Sequence, residues 1–156
     1  MSRLVKYKKV DLAIKAFNKL GYPLVIVGTG REESRLKKIA GKNITFAGAV
    51  DDKKLAQLYS NAIALVFPQE EDFGIVAVEA QSVGIPVIAF ARGGALDTVI
   101  PGETGVFFKK QNVGSLIGAV SELDKVTFNR ENIVEHAKMF SREVFLENFS
   151  YYINNQ

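Results

Sequence analysis

The sequence has no cysteine and a single histidine, His136. The lack of cysteine excludes a disulfide framework and a thiolate metal site, and one imidazole argues against a histidine metal site or a Ser/His triad. No apolar run approaches the roughly 18–20 residues needed to span a membrane. The basic start of the chain is not followed by an apolar core, so no signal peptide is visible. These absences indicate a cytoplasmic protein, or the cytoplasmic part of one.

Size and composition are those of one globular domain. The chain has 156 residues, of which 47% are hydrophobic and 24% charged, and this is typical of a soluble fold with a real core. The net charge of +3 is too small to predict a nucleic-acid partner. Arg3, Lys6, Lys8 and Lys9 form a basic cluster, more typical of a solvated face than of an anion site. Only Tyr7 could stack on bases there, so we do not expect nucleic-acid binding.

Up to Phe108, short β-rich runs alternate with segments of helical spacing. The runs are continuously apolar, as in strands that are covered on both faces. Apolar residues between them recur at helical intervals, for example at Val10, Ala13, Ile14 and Phe17. This alternation predicts an α/β fold with a doubly wound, Rossmann-like parallel sheet. The predicted strands are residues 23–28, 44–48, 62–67, 86–90 and 105–108, and residues 31–40 and 74–83 fill two of the helical gaps.

Beyond Phe108 the pattern becomes helical. One apolar stripe joins Leu116, Ile117, Val120 and Leu123, and another joins Val144, Phe145, Phe149 and Tyr152, with Ser141 as a predicted N-cap. At the other end, a doubly wound domain ordinarily opens with a strand. Here the strand before Arg3 is cut to about three or four residues or is absent. We therefore expect a fragment of a longer enzyme.

Ligands of open α/β sheets bind beyond the carboxyl ends of the strands. The glycines in Gly28-Thr29-Gly30 invite a dinucleotide interpretation. That fingerprint requires Gly or Ala at position 33, where this chain has Glu33. It also requires an acidic residue at the end of the next strand, where this chain has Gly48. A tight strand-to-helix turn explains Gly30 better than NAD binding does.

Residues 68–80 give the strongest signal, because two carboxylates flank a predicted helix start. Glu71 and Glu79 are eight residues apart, which would be about 12 Å along a helix and matches the reach from a ribose to the sugar of a nucleotide diphosphate sugar. The helix N-terminus at Gly74, Ile75 and Val76 lies between them, where N–H groups suit a diphosphate. The alternative is an acidic loop that caps the helix and leaves Glu79 on its exposed face. Spacing alone does not decide between the two.

At these residues the sequence resembles the retaining family 4 glycosyltransferases of the GT-B fold. Their Glu-x7-Glu segment is matched by Glu71 and Glu79 in EEDFGIVAVEAQSVGIPVIAF, and ARGGALDTVIPGETGVFF resembles their glycine-rich loop and last strand. Arg3 and Lys8 in SRLVKYKKVDLAIKAF match the family's Arg-x4-Lys segment. The resemblance covers nearly the whole chain with the motifs in family order.

The resemblance implies a role for each matched position. Arg3 and Lys8 would hold the diphosphate in place of a metal ion, Glu71 would contact the donor sugar beside the bond that breaks, and Glu79 would accept hydrogen bonds from the ribose hydroxyls. The remaining donor-binding positions are Gly74, Ile75 and Val76 for the diphosphate and sugar, Gly93 and Gly94 for close backbone approach to the sugar, and Gly28 and Val50 near the base. Ser2, where the family usually has Gly, and Asp97, where Glu is frequent, depart from the pattern.

The implied activity is transfer of a hexose to a glycan or glycolipid with retention of configuration. The amino-acid sequence of the motifs looks most similar to mannosyltransferases that use GDP-mannose. UDP-glucose and UDP-N-acetylglucosamine remain alternative donors. No cofactor or metal beyond the nucleotide-sugar substrate is implied. The amino-terminal acceptor half is absent, so we expect negligible activity from this chain without an acceptor domain or subunit, and membrane association only peripherally through the full-length enzyme. The alternative is a stand-alone or subunit nucleotide-sugar-binding module that catalyses nothing itself.

Overall fold

The strands and helices alternate along the chain as the hydrophobic pattern predicts. The computed structural model describes residues 1–155. Its strands are β1 (Leu24–Val27), β2 (Ile44–Gly48), β3 (Leu65–Phe67), β4 (Val87–Phe90) and β5 (Gly105–Phe108). Its helices are α1 (Val10–Leu20), α2 (Glu33–Ile39), α3 (Asp52–Ser60), α4 (Ile75–Ser82), α5 (Ala95–Thr98), α6 (Val113–Leu123), α7 (Arg130–Lys138) and α8 (Arg142–Asn154), and a 3-10 turn covers Lys6–Lys8.

All strand pairs are parallel, but the strands form two sheets. β1 pairs with β2, and β3, β4 and β5 form a second sheet in that order. The predicted α/β class with a parallel sheet and covering helices is confirmed. Within residues 1–155 no strand pairing joins β1 to β3, so the strands lie in two parallel sheets.

Strand β4 shows why continuous apolar runs fit this architecture. All four of its residues are buried. Ile88 and Phe90 belong to a core cluster with α1 and α6, whereas Val87 and Ala89 belong to another with α4 and α5. Successive side chains of a strand point to opposite faces, so a strand between two helical layers has no solvent-facing position and no polar alternation.

The element ends differ from the predictions by a few residues. β3 begins at Leu65 rather than at residue 62, because 61–63 lie exposed at an edge without a paired strand. β4 begins after Pro86, which has no N–H to donate. Ser141 caps α8 as predicted, since its Oγ accepts a hydrogen bond from the Val144 amide at 3.3 Å.

Helix α8 presents its apolar stripe to solvent. No residue of α8 is buried, and Phe145 and Phe149 are 63% and 52% exposed. The stripe predicted at Val144, Phe145, Phe149 and Tyr152 therefore exists, but it is largely uncovered.

Candidate functional site

The candidate site lies at the carboxyl ends of β1 and β3, where the amino-terminal segment crosses over the sheet edge. The Ser2 amide donates to the Val27 carbonyl at 3.0 Å, and the Leu4 amide donates to the Thr29 carbonyl at 2.9 Å. The Leu4 side chain is completely buried. These contacts anchor the segment and bring the 3-10 turn at Lys6–Lys8 towards the loop that follows β3.

Lys8 and Glu71 form an ion pair across this crossing. The Lys8 Nζ contacts the Glu71 Oε1, and the two side chains are only 14% and 18% exposed. Gln69, a buried residue, donates from Nε2 to the same Glu71 oxygen at 3.3 Å. An ion pair this far withdrawn from water has a better-defined geometry than a surface pair, because two partners fix the carboxylate. Two residues of the family motifs are thus in direct contact.

Gly74 ends the loop after Glu71 and starts α4. Its φ is +84°, in the left-handed region, and an added Cβ would lie 2.8 Å from the Phe67 ring. Both observations favour glycine here. The helix has no side-chain cap and no acidic residue in its first turn. The amides of Ile75 and Val76 therefore belong to a turn whose N–H groups have no partner in the helix, with the positive end of the helix dipole behind them.

Glu79 lies on the second turn of α4 and is half-buried. Its Oε2 atom is fully buried and has no hydrogen-bond partner within residues 1–155. Burial raises the pKa of the Glu79 carboxyl, and the nearby Met1 amine partly offsets this effect. The Glu79 carboxyl is thus partly withdrawn from water, whereas the capping interpretation placed Glu79 on an exposed face of the helix. A half-buried carboxylate without a partner is costly to the free protein and available to accept a hydrogen bond.

The Met1 amine connects Glu79 with Lys8. Burial lowers the pKa of this amine, Glu79 raises it and Lys8 lowers it. The amine is therefore close enough to interact electrostatically with both side chains.

Tyr59 was not identified as a site residue from the sequence. Its hydroxyl is buried and has no hydrogen-bond partner among residues 1–155, and burial, reinforced by the charge of Glu79, raises the pKa of Tyr59 to about 12. A tyrosine of a surface helix such as α3 is usually a core residue, so the sequence offered no sign of a site role. Gln69 was also missed, although its position directly after a strand could have marked it.

The glycine-rich turn of residues 92–94 packs on the loop that holds Glu71. The Gly94 amide donates to the Glu71 carbonyl at 2.8 Å. A Cβ at Gly93 would lie 2.3 Å from that same carbonyl oxygen, and one at Gly94 would lie 2.3 Å from the Asp72 carbonyl oxygen. The close backbone approach expected at these glycines is thus an approach to the acidic loop. Contact with a sugar stays a prediction.

The remaining predicted residues are less closely gathered. The Arg3 side chain is exposed and makes no ion pair within residues 1–155, in contrast to Lys8. Gly28 donates its amide to the Gly48 carbonyl at 2.7 Å, and its Cβ position is blocked by the Ser2 carbonyl. Val50 is half-buried just after β2. A place for the base near Gly28 and Val50 therefore remains a prediction.

A buried amide network fixes the rear of α4. Gln81, which is completely buried, donates from Nε2 to the Thr98 carbonyl at 2.8 Å. His136 lies 3.2 Å from the same carbonyl through its Nε2. The network ties α4 to α5 and α7, so the helix start at Gly74 is held by the protein behind it.

The described part of the chain has no cluster of three acidic or histidine side chains that could hold a metal ion. None of the helices in residues 1–155 has the length and apolar character of a membrane-spanning helix.

Residues 1–140 match the protein family described as "Glycosyl transferases group 1". A GDP-mannose-dependent monoacylated alpha-(1-6)-phosphatidylinositol monomannoside mannosyltransferase from Corynebacterium glutamicum is 35% identical over 138 residues, which are 78% of this chain and 36% of the relative. The chain thus spans little more than a third of that relative's length.

Two solved structures share the fold. The lipopolysaccharide outer core galactosyltransferase WaaB superposes with a TM-score of 0.88 at 20% identity, over 99% of this chain and 47% of its own. Anabaena HepE in complex with UDP-glucose superposes with a TM-score of 0.83 at 21% identity, over 100% of this chain and 48% of its own. The match over residues 1–140 and the 35% identical relative show that the chain belongs to the group 1 glycosyltransferases, as a family 4-like domain with mannosyltransferase relatives. The two solved structures show that its fold is that of a GT-B domain.

Proposed function

We propose that the chain is one nucleotide-sugar donor-binding domain that, joined to an acceptor-binding domain or subunit, transfers mannose from GDP-mannose to a glycan or glycolipid with retention of configuration. The buried, partnerless Glu79 Oε2 is the observation that supports donor binding most directly. This oxygen can accept a hydrogen bond from a hydroxyl group. It belongs to α4, whose first amides have no partner within the helix. The Corynebacterium relative named for GDP-mannose and a phosphatidylinositol mannoside supports the choice of donor and a lipid-linked acceptor.

The diphosphate would bind between Lys8 and the first turn of α4. Breaking the glycosidic C–O bond leaves negative charge on the diphosphate, and fixed N–H donors together with an ammonium stabilise that charge without reorganising. Lys8 is already held at this place by Glu71. Arg3 is proposed to supply a second cation, which requires its exposed side chain to turn inwards on binding.

Glu71 and Glu79 would act on the two ends of the donor. Glu79 would accept hydrogen bonds from the ribose hydroxyls, which would give its Oε2 the partner that it lacks. Glu71 would lie beside the sugar, where the loss of the leaving group creates positive charge on the ring. When Lys8 pairs with the diphosphate, its ion pair with Glu71 breaks. The negative charge of Glu71 can then stabilise the positive charge on the sugar ring.

The isolated chain is proposed to bind the donor without turning it over. A transferase must exclude water from the reacting sugar, and no closed cleft exists without a facing acceptor domain. The exposed aromatic stripe of α8 is consistent with a missing packing partner. Membrane association is proposed only as a peripheral association through the full-length enzyme. The cytoplasmic location remains a prediction from the sequence.

Donor binding can be tested by calorimetry and thermal shift with GDP-mannose, UDP-glucose, UDP-N-acetylglucosamine and NAD. We expect GDP-mannose to bind most tightly and NAD not to bind. Lys8→Ala should weaken binding by about tenfold, the value of one charge-assisted hydrogen bond. Lys6→Ala is the matched control, because Lys6 is an exposed lysine of the same 3-10 turn. Equal donor affinity of the wild type and of Lys8→Ala would show that Lys8 is not part of the donor site.

Turnover is tested separately. We expect the chain alone to leave GDP-mannose intact in the presence of lipid and glycan acceptors. Efficient transfer by the isolated chain would refute the need for a second domain. Binding without turnover even after an acceptor domain is supplied would favour a binding module with no catalysis of its own. The anomeric configuration of any product, read by NMR, decides on retention.

A further inference from the structure

Gln69 is a buried polar residue in the loop that carries Glu71. It comes two residues after the end of β3, and only 3% of it is exposed. Its Nε2 donates to the Glu71 Oε1 at 3.3 Å, and the Lys8 ammonium contacts the same oxygen. A buried amide is costly unless it is hydrogen-bonded. Two donors of different charge, an amide and an ammonium, therefore meet at one carboxylate oxygen.

The main chain on either side of Gln69 is fixed by residues outside the loop. The Gln111 Nε2 donates to the Pro68 carbonyl at 2.9 Å, and the Gly94 amide donates to the Glu71 carbonyl at 2.8 Å. Gln111 follows β5 and Gly94 follows β4, so both hydrogen bonds come from the carboxyl ends of strands in the sheet that contains β3. The Gln69 side chain thus reaches the Glu71 carboxylate from a backbone that is held in place.

The two donors respond differently to a diphosphate. Lys8 is positively charged, so in the proposed donor complex it pairs with the diphosphate and leaves Glu71. Gln69 is neutral and buried, so a diphosphate does not attract it away from the carboxylate. Its hydrogen bond to Glu71 can persist after the ion pair breaks, and a hydrogen bond to an ionised acceptor is about twice as strong as one between neutral groups. Gln69 is therefore the partner that Glu71 keeps in the donor complex.

We propose that Gln69 is a positioning residue that keeps the Glu71 carboxylate directed at the donor sugar after Lys8 has paired with the diphosphate. This inference rests on the proposed donor binding and deepens it, because it separates the residue that orients the sugar end from the residues that hold the diphosphate. A neutral amide suits this role. A lysine or arginine at the same position would itself bind the diphosphate, or would neutralise the charge that Glu71 offers to the sugar ring.

Gln69→Met tests this role, because methionine keeps an unbranched, flexible side chain and removes the amide donor. Gln69→Leu, which also lacks the amide, is measured beside it so that the result does not depend on one replacement. Gln111→Met is the matched control, because it removes an amide that holds the same loop through the Pro68 carbonyl and does not touch Glu71. The affinities of each protein for GDP and for GDP-mannose are measured by calorimetry. Their ratio reports on the sugar end alone, because GDP has no sugar beyond the diphosphate.

We expect Gln69→Met and Gln69→Leu to lower the affinity for GDP-mannose about five- to tenfold and to change the affinity for GDP less than about twofold. Gln111→Met should keep the wild-type ratio of the two affinities, although it too loses a hydrogen bond of the loop. A merely structural role for Gln69 would weaken GDP and GDP-mannose together and would leave the ratio as it is in the wild type.

A double-mutant cycle in the free protein measures the contact without any nucleotide. Gln69→Met and Glu71→Met are made singly and together, and each protein is unfolded in urea. The cycle is repeated in a Lys8→Met background. We expect non-additive losses of stability in both backgrounds, because the amide donates to Glu71 whether or not the ammonium is present.

Two results would overturn this role of Gln69. A wild-type ratio of GDP-mannose to GDP affinity in both Gln69 variants would show that the residue does not orient the sugar end. Additive losses of stability in the cycle would show that Gln69 does not hold Glu71 in solution. A wild-type chain that binds neither GDP nor GDP-mannose would instead refute the proposed donor binding, and with it the inference. The two failures are distinguishable, because the last one is seen before any residue is replaced.

Discussion

Replacing Glu79 by glutamine should stabilise the free protein and weaken donor binding. The substitution keeps the shape of the side chain and one carbonyl oxygen but removes the negative charge. In the free protein the Glu79 Oε2 is buried without a hydrogen-bond partner among residues 1–155. The nearby Met1 amine offsets only part of the effect of burial on the carboxylate. In the donor complex the same atom is proposed to accept a ribose hydroxyl.

The stability effect follows from the raised pKa of Glu79. A carboxyl whose pKa is higher in the folded than in the unfolded chain holds its proton more tightly when folded. Its contribution to stability is full below the unfolded pKa of about 4.3 and is lost as pH rises through the folded pKa. Above the folded pKa this contribution is gone, so Glu79→Gln should there raise the free energy of unfolding by about 1 kcal/mol, the lower end for an unpaired group, because solvent screens the exposed part of the side chain. For a domain of this size we expect an increase in melting temperature of about 2–4 °C.

Thermal unfolding from pH 4 to pH 8 measures this effect, and the difference between wild type and Glu79→Gln should grow over that window. Donor binding is measured with GDP and with a GDP analogue that lacks the ribose hydroxyls. Wild type should prefer GDP by about tenfold, as expected for a hydrogen bond to a charged acceptor, and the variant should lose most of this preference. A variant that is less stable at pH 7, or that discriminates the two nucleotides as wild type does, would refute the reasoning.

The remaining predictions concern the residues that shape the site. Lys8→Met and Glu71→Gln should each weaken donor binding in calorimetry. A double-mutant cycle should give a coupling free energy above zero, because the two side chains form one ion pair. Additive losses of binding free energy would contradict the pairing. Gly74→Ala should lower stability in urea unfolding by about 1–2 kcal/mol, because its φ of +84° and the Phe67 ring leave no room for a Cβ; an unchanged urea midpoint would contradict this. Gln81→Met should cost about 1 kcal/mol in the same assay, because it removes the hydrogen bond from the Gln81 Nε2 to the Thr98 carbonyl and leaves that carbonyl only His136 as a neighbour. An unchanged urea midpoint would mean that the network does not anchor α4.

Local patterns in the sequence predicted the elements well where burial is two-sided. The run at 105–108 became β5 with unchanged bounds, and its residues are buried or half-buried. The run at 44–48 became β2 with unchanged bounds, although Thr45 is exposed. The predicted strand at 62–67 lost three residues, because its first residues lie exposed at an edge without a neighbouring strand. The stripe of α8 was predicted correctly as a helix, although the same periodicity could not tell that the stripe is exposed.

The sequence by itself determined the parallel α/β class, the family, and the position of Glu71 before and of Glu79 after a helix start at Gly74. Each of these depends on spacing along the chain, and the hydrogen bonds and side-chain periods of strands and helices are local. Only the tertiary structure decided that Lys8 contacts Glu71, that Gly94 donates to the loop carrying Glu71, and that the Glu79 Oε2 has no partner among residues 1–155. It also decided that the strands divide into two sheets. These features depend on contacts between segments far apart in the chain, and their energies are set by distance and burial in space, which no spacing in the sequence records.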